Sequence, residues 1–214
     1  ISCDLIYSLP HQTRTQWEKT LQDVLSLNIP HCSLYALTIE EHSEFGRTGQ
    51  RPLDEDTEAS MYFEAVRVLT EAGYQHYEIS NFAKPGYASR HNLHYWNYDD
   101  FYGVGLGASG KLSSFRYDNT SNFQEYFKGH WIGETIELSR RDQMFERVMM
   151  NLRTARGVSL ADFEQKFGLP LSEVYPDAVQ KGIRQGWLRM TEDRLAPTEA
   201  GMALLNTVLE EFLD

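Results

Sequence analysis

Ser2-Cys3-Asp4-Leu5-Ile6-Tyr7-Ser8-Leu9-Pro10 places aliphatic and aromatic residues in one short run stopped by proline, and it reads as a β-strand. Downstream, Thr15 and Glu18 have capping-box spacing ahead of Trp17, Leu21, Val24 and Leu25 at helical intervals. Residues 32–39 read as a second strand. Leu53-Asp54-Glu55-Asp56 then leads into a helix whose Met61, Ala65, Val68, Leu69 and Ala72 form one apolar stripe, with Gly73 as its C-terminal cap. Residues 74–80 read as a third strand. Strand, helix, strand, helix, strand at this spacing predicts an α/β fold of parallel βαβ units with right-handed crossovers. Such sheets hold ligands at the carboxyl ends of their strands, where Pro10, Thr38 to Glu40 and Asn81 to His91 fall.

From Ser139 the pattern becomes helical. Ser139 and Asp142 cap a helix carrying Met144, Phe145, Val148, Met149 and Leu152, and Ser159 with Asp162 starts a shorter one ending at Gly168. A further helix is expected over 172–185, a hairpin over 187–190 and 194–196, and a last helix from Thr198 through Met202, Leu205, Val208, Leu209 and Phe212. Helices, hairpin and helix in that order suggest a winged-helix module. Residues 139–214 hold 10 Lys+Arg and 12 Asp+Glu, and the 172–185 helix mixes Glu173 and Asp177 with Lys181 and Arg184. That is no basic stripe for a nucleic-acid groove, so a structural or partner-docking role is expected.

The 214 residues carry a net charge of -11, which opposes binding to a polyanion, so no nucleic-acid partner is expected. The chain shows neither a signal sequence nor a transmembrane segment. Two cysteines make no disulfide framework, and the expected compartment is a reducing cytoplasm. Cys3 and Cys32 each fall in a predicted strand and are expected to pack as small hydrophobes.

The run His91-Asn92-Leu93-His94-Tyr95-Trp96 puts two imidazoles, an amide and two large aromatics in six residues. Imidazole is the commonest metal-ligating side chain, histidine is an axial ligand of haem iron, and Tyr and Trp offer broad apolar faces with a polar edge. The set suits a flat aromatic ligand with a metal at its centre, haem first among them. His91 is the first choice for iron and His94 the second. Three-residue spacing puts them on one face of a helix or on opposite faces of a strand. Tyr95 and Trp96 would pack on the porphyrin, and Arg90 or Lys84 would meet a propionate. Gly103, Gly105 and Gly107 lack the Lys-Ser/Thr pair of a phosphate loop and read as a close backbone approach to a cosubstrate or as a tight turn. Asp4, in an otherwise apolar strand, is expected to be paired or hydrogen-bonded.

The hexamer resembles the H-N-x-x-Y-W motif of the HemW-type haem chaperones, within the oxygen-independent coproporphyrinogen III oxidase-like group of radical S-adenosylmethionine proteins. Asp4 to Pro10 is similar to the D-L-I-Y-G-L-P strand end of that family, with Ser8 for glycine. Leu37 to Glu40 and Tyr77 to Ala83 resemble its next strand ends, and Gly103 to Lys111 its G-x-G-x-G-A-H-G segment, with Ser109 for histidine. The resemblance implies that residues 1–115 are the C-terminal part of a partial TIM-like (β/α) barrel, 116–138 a connecting segment, and 139–214 the winged-helix-like HemN C-terminal domain. It also implies S-adenosylmethionine contacts at Asp4, Ala36 and Lys111, and a [4Fe-4S] cluster in the full-length protein. The cluster loop C-x-x-x-C-x-x-C is missing here, and the chain opens at Ile1, so it is expected to be the C-terminal portion of a longer protein without the cluster ligands.

Three function classes follow. The resemblance implies first a haem chaperone with haem and recipient haemoproteins as partners. The alternative is an oxygen-independent coproporphyrinogen III oxidase of porphyrin biosynthesis. A winged-helix regulator is third, and the acidic balance opposes it. An incomplete barrel leaves a sheet edge to be covered, by the missing half or by a second copy in a homodimer.

Overall fold

The computed structural model describes residues 1–213 and separates into two compact units, residues 1–89 and residues 90 onward. In the first, β1 (Cys3–Tyr7) lies parallel to β2 (His31–Ala36), with Cys3 opposite Cys32 and Tyr7 opposite Ala36. The crossover is α1 (Arg14–Ser26). Its capping box is Thr13 with Gln16, not Thr15 with Glu18: Thr13 Oγ1 accepts from the Gln16 N–H, and the Gln16 side chain accepts from the Thr13 N–H at 2.8 Å. A cap residue needs extended backbone, which Thr13 has and Thr15, inside the helix, lacks. Trp17, Leu21 and Val24 are buried, and the Trp17 indole N–H donates to the Met61 carbonyl at 2.9 Å.

After a short α2 (Glu44–Arg47), α3 (Glu55–Glu71) is capped by Asp54 and buries Met61, Ala65 and Leu69. It ends where Gly73 takes φ +85°, a left-handed value that suits a residue without Cβ. The third expected strand is instead a hairpin. β3 (Gln75–Glu78) turns back into β4 (Asn81–Ala83), which inserts antiparallel between β2 and β3, giving the order β1-β2-β4-β3 and one parallel pair rather than two. The turn contains neither glycine nor proline, which is why 74–80 reads as continuous. The buried Glu78 carboxylate makes it, accepting from the Ser80 N–H at 3.0 Å and from Asn81 Nδ2.

Leu5, Tyr7, Cys32 and Leu34 belong to the same core as the buried faces of α1 and α3. The alternate positions Asp4, Ile6 and Tyr35 are exposed on the other face. The described sheets are open, and none closes into a barrel.

The second unit starts with α4 (Arg90–Trp96), followed by the antiparallel sheet β5 (Ser109–Leu112), β6 (Phe115–Asn119) and β7 (Ile132–Glu137), with α5 (Phe123–Phe127) between the last two strands. Residues 116–138, read from sequence as a connection, therefore hold two strands and a helix. Next come α6 (Arg140–Asn151), β8 (Val158–Ser159), α7 (Leu160–Phe167), α8 (Leu171–Val174) and α9 (Pro176–Arg184). β9 (Leu188–Met190), β10 (Arg194–Pro197), α10 (Glu199–Ala203) and α11 (Leu205–Glu210) complete it. β9 and β10 form the expected hairpin, and β8 adds to β10 in the order β8-β10-β9. The helix expected from Ser172 starts in earnest at Pro176, since proline suits a first helical turn, where its missing N–H is not needed. Val148, Leu152, Val158, Phe163, Leu195 and Phe212 form a sealed core. Among the described residues no helix is long and apolar enough to cross a membrane.

Candidate functional site

The local structure of the His91 run is a helix, so His91 and His94 lie about 60° apart on one face of α4. Their rings are not equally available. His94 Nε2 lies 2.8 Å from the Asp100 carbonyl, an acceptor only, so that nitrogen carries the proton. His94 Nδ1 lies 3.4 Å from the Asp99 carboxylate. The exposed His91 ring instead meets Tyr95 edge to face at 5.0 Å and makes no hydrogen bond among the described residues. An iron could reach His91 without displacing any bond, whereas His94 would have to give up its hold on Asp99 and Asp100.

Tyr95 is the hub of the cluster, with its ring 4.7 Å from Phe101 and 6.1 Å from His94. Trp96 is half-buried, and its carbonyl accepts from Asn151 Nδ2 at 2.7 Å. Its indole N–H is shielded and unmatched by an acceptor among the described residues, a donor that a bound group could satisfy. Arg90 is exposed at the start of α4. Lys84, in the first unit, donates to Asn28 Oδ1 and lies 5.5 Å over the Tyr74 ring.

Lys111 is buried, and its ammonium is engaged within the second unit. Nζ lies 2.6 Å from Asp100 Oδ1 and 3.3 Å from the Tyr98 carbonyl, 4.2 Å over the Tyr98 ring. Burial acts to raise the Asp100 carboxyl, but hydrogen bonds from Lys111 and the Ser113 N–H outweigh it and hold the group below its ordinary value. Tyr98 in turn donates to Glu146 at 2.6 Å, and Glu146 pairs with Arg116. Burial, then Glu146, pushes the Tyr98 phenol up.

The other positions implied by resemblance lie in the first unit. Asp4 is exposed and makes no ion pair among the described residues, so the expected pairing does not form; strand alternation turns it to the open face, where water solvates it. Ala36 alternates to the helix-covered face and packs against the core. Cys32 is buried as expected, and burial with the neighbouring Cys3 pushes its thiol up to about 11.

The glycine-rich turn is not a phosphate cradle. The Gly103 N–H donates to the Tyr117 hydroxyl at 3.0 Å, the Gly107 N–H to the Thr120 carbonyl at 3.0 Å, and Asn119 Nδ2 binds the carbonyls of Gly103 and Gly105. Gly105 sits at φ +113°, and a Cβ on Gly103 would collide with the Ser109 backbone. Sequence reading missed the groove beside this turn, a space of about 560 Å³ lined by Tyr102, Val104, Tyr117, Tyr126 and Trp131 among others. Those aromatics come from separate segments with no motif joining them.

Comparison with known proteins gives this chain a family. Residues 138–204 match the HemN C-terminal domain. A protein of Lactococcus lactis named heme chaperone HemW is 37% identical over 220 residues, covering 100% of this chain and 58% of its own. The heme chaperone HemW of Escherichia coli is 34% identical, covering 98% of this chain and 57% of its own. The chain is a homologue of the HemW proteins and belongs to their family. It spans a little over half the length of these relatives. The solved structure of HemN from Escherichia coli, described as coproporphyrinogen III oxidase and a radical SAM enzyme, superposes with a TM-score of 0.79 over 99% of this chain and 54% of its own. At 19% identity that likeness shows the fold, a mixed α/β arrangement shared with the HemN C-terminal part.

Proposed function

We propose that this chain is the haem-binding part of a haem chaperone, which takes up haem and passes it to recipient haemoproteins. The homology to HemW proteins along the whole chain carries the reading. The open imidazole of His91 on α4 supports it, as an axial iron ligand with His94 as the second candidate. Tyr95 and the unmatched indole N–H of Trp96 would face the porphyrin, Arg90 would meet a propionate, and the aromatic groove in the same unit offers a flat apolar surface.

In the same reading residues 1–115 are part of a radical SAM (β/α) barrel, with the open face of β1 and β2 as its interior. Residues 139–214 are a winged-helix-like module that docks a partner and binds no nucleic acid, and the protein works in the cytoplasm. S-adenosylmethionine with a [4Fe-4S] cluster supplies radical chemistry when bound in proteins of this kind. The exposed Asp4 carboxylate fits a hydrogen bond to that cosubstrate, and Ala36 would contribute backbone at the strand end. Lys111 would act through Asp100, since its own ammonium is engaged. Cys3 and Cys32 do not fit the cluster: they are cross-strand neighbours, Cys32 is buried, and its thiol is raised.

Haem titration followed at the Soret band tests the reading. His91→Ala is expected to weaken binding at least about tenfold, and His94→Ala less, because His94 must first leave its own bonds. An unchanged titration in both variants overturns the assignment. Turnover of coproporphyrinogen III by the full-length protein without haem uptake would favour the oxidase instead.

A further inference from the structure

Behind α4, on the helix side away from His91, the second unit holds a cleft of about 260 Å³. Leu93 and Asn97 reach it from α4 and the turn that follows; two residues along a helix is about 200° of rotation, which separates Leu93 from His91. Three guanidinium side chains line it, Arg147 from α6, Arg156 from the loop after α6, and Arg194 from β10. This is a concentration of positive charge in a chain whose net charge is -11.

The arginines are not explained by ion pairing. Arg147 and Arg156 have neither a carboxylate within 4 Å nor a hydrogen bond among the described residues, and the Arg147 Nε is buried without an acceptor. A buried guanidinium N–H left unmatched is costly, so an acceptor is expected from outside the protein. Arg194 is tied only loosely, with Nε 3.7 Å from the exposed Asp193 and Nη1 3.3 Å from the Gly157 carbonyl. Two carboxylates, Asp99 and Asp162, also line the cleft. Asp99 already faces His94, and Asp162 leaves one carboxylate to set against the three guanidinium groups. The balance in the cleft stays cationic.

We propose that this cleft binds a compact polyanion, its phosphate or carboxylate oxygens held by Arg147, Arg156 and Arg194. Guanidinium groups present paired donors matched to such oxyanions, and Asn97 and Ser159 add neutral polar groups at the wall. The volume suits a small molecule rather than a polymer. The site lies on the side of α4 away from His91, the first iron candidate, and shares Asp99 with the surroundings of His94.

Calorimetric titration of the protein with pyrophosphate and with citrate at constant ionic strength tests this, with chloride as the control. Saturable binding is expected for at least one of the two. The anion that binds more tightly assigns the class, phosphate or carboxylate. Arg147→Gln is expected to weaken it at least about tenfold, and Arg156→Gln, an exposed position that leaves the core intact, several-fold. Arg189→Gln, exposed on β9 and outside the cleft, should leave it unchanged. Absence of saturable heat with both anions overturns the proposal, as does equal binding in the Arg147 and Arg156 variants and the parent. Haem titration of the same Arg variants should match the parent, so that failure of one site is read separately from failure of the other.

Discussion

The sheet of the first unit is finished on one face and the β8-β10-β9 sheet of the second unit belongs to a sealed core. In the first, Leu5, Tyr7 and Leu34 are buried with α1 and α3, while Ile6 and Tyr35 on the other face remain 51% and 44% exposed. In the second, Val158, Phe163 and Leu195 are 0% exposed. A β-sheet face of apolar and charged residues left in water is an unfinished layer, whereas a sealed core needs nothing more. The two regions teach where additional structure or a ligand would have to sit.

The strongest test of that contrast is Phe163→Ala, expected to cost about 3–5 kcal/mol by chemical denaturation because the sealed core cannot refill the space. A loss under about 1 kcal/mol would mean the second unit is not closed as described.

A smaller effect is expected at the Lys111–Asp100 pair, where Asp100→Asn should cost about 1 kcal/mol at neutral pH, a charged hydrogen bond discounted for the half-exposed carboxylate. The folded value of Asp100 lies below its ordinary 3.8, so the contribution is complete above that value and fades as pH falls through the folded one. Denaturation of parent and variant should therefore begin to converge only below about pH 4 and meet once pH has fallen through the folded value. A gap that stays constant well below that range would contradict the ion-pair account.

The smallest effect is expected on the open face. Ile6→Ser should change the stability of this chain by no more than about 0.5 kcal/mol, since the side chain is already half in water. A loss rivalling that of Phe163→Ala would erase the distinction between the two regions.

Much of this was legible beforehand, and the misses share a cause. The α1 and α3 stripes, the Ser139 capping box and the β9–β10 hairpin are local patterns, and each appears where the sequence put it. The β3–β4 turn was invisible because a buried glutamate, rather than glycine or proline, makes it. The two-residue strand β8 is too short for any periodicity. At the candidate site, the residue types of His91 to Trp96 were plain, but the difference between His91 and His94 depends on Asp99 and Asp100 folding back onto one ring. The arginine cleft draws Arg147, Arg156 and Arg194 from three elements with no motif joining them.

By itself the sequence determined the α/β character of the first unit, the helical and hairpin character of the C-terminal part, and the motifs that tie the chain to the HemW proteins, because periodicity, caps and short motifs are carried by neighbours along the chain. Only the tertiary structure decided which imidazole is open, that the Lys111 ammonium is already engaged, which face of the first sheet is bare, and that three arginines share a cleft. Each of those depends on groups far apart in sequence that meet only when the backbone folds, and electrostatic and hydrogen-bond energies are set at those meetings.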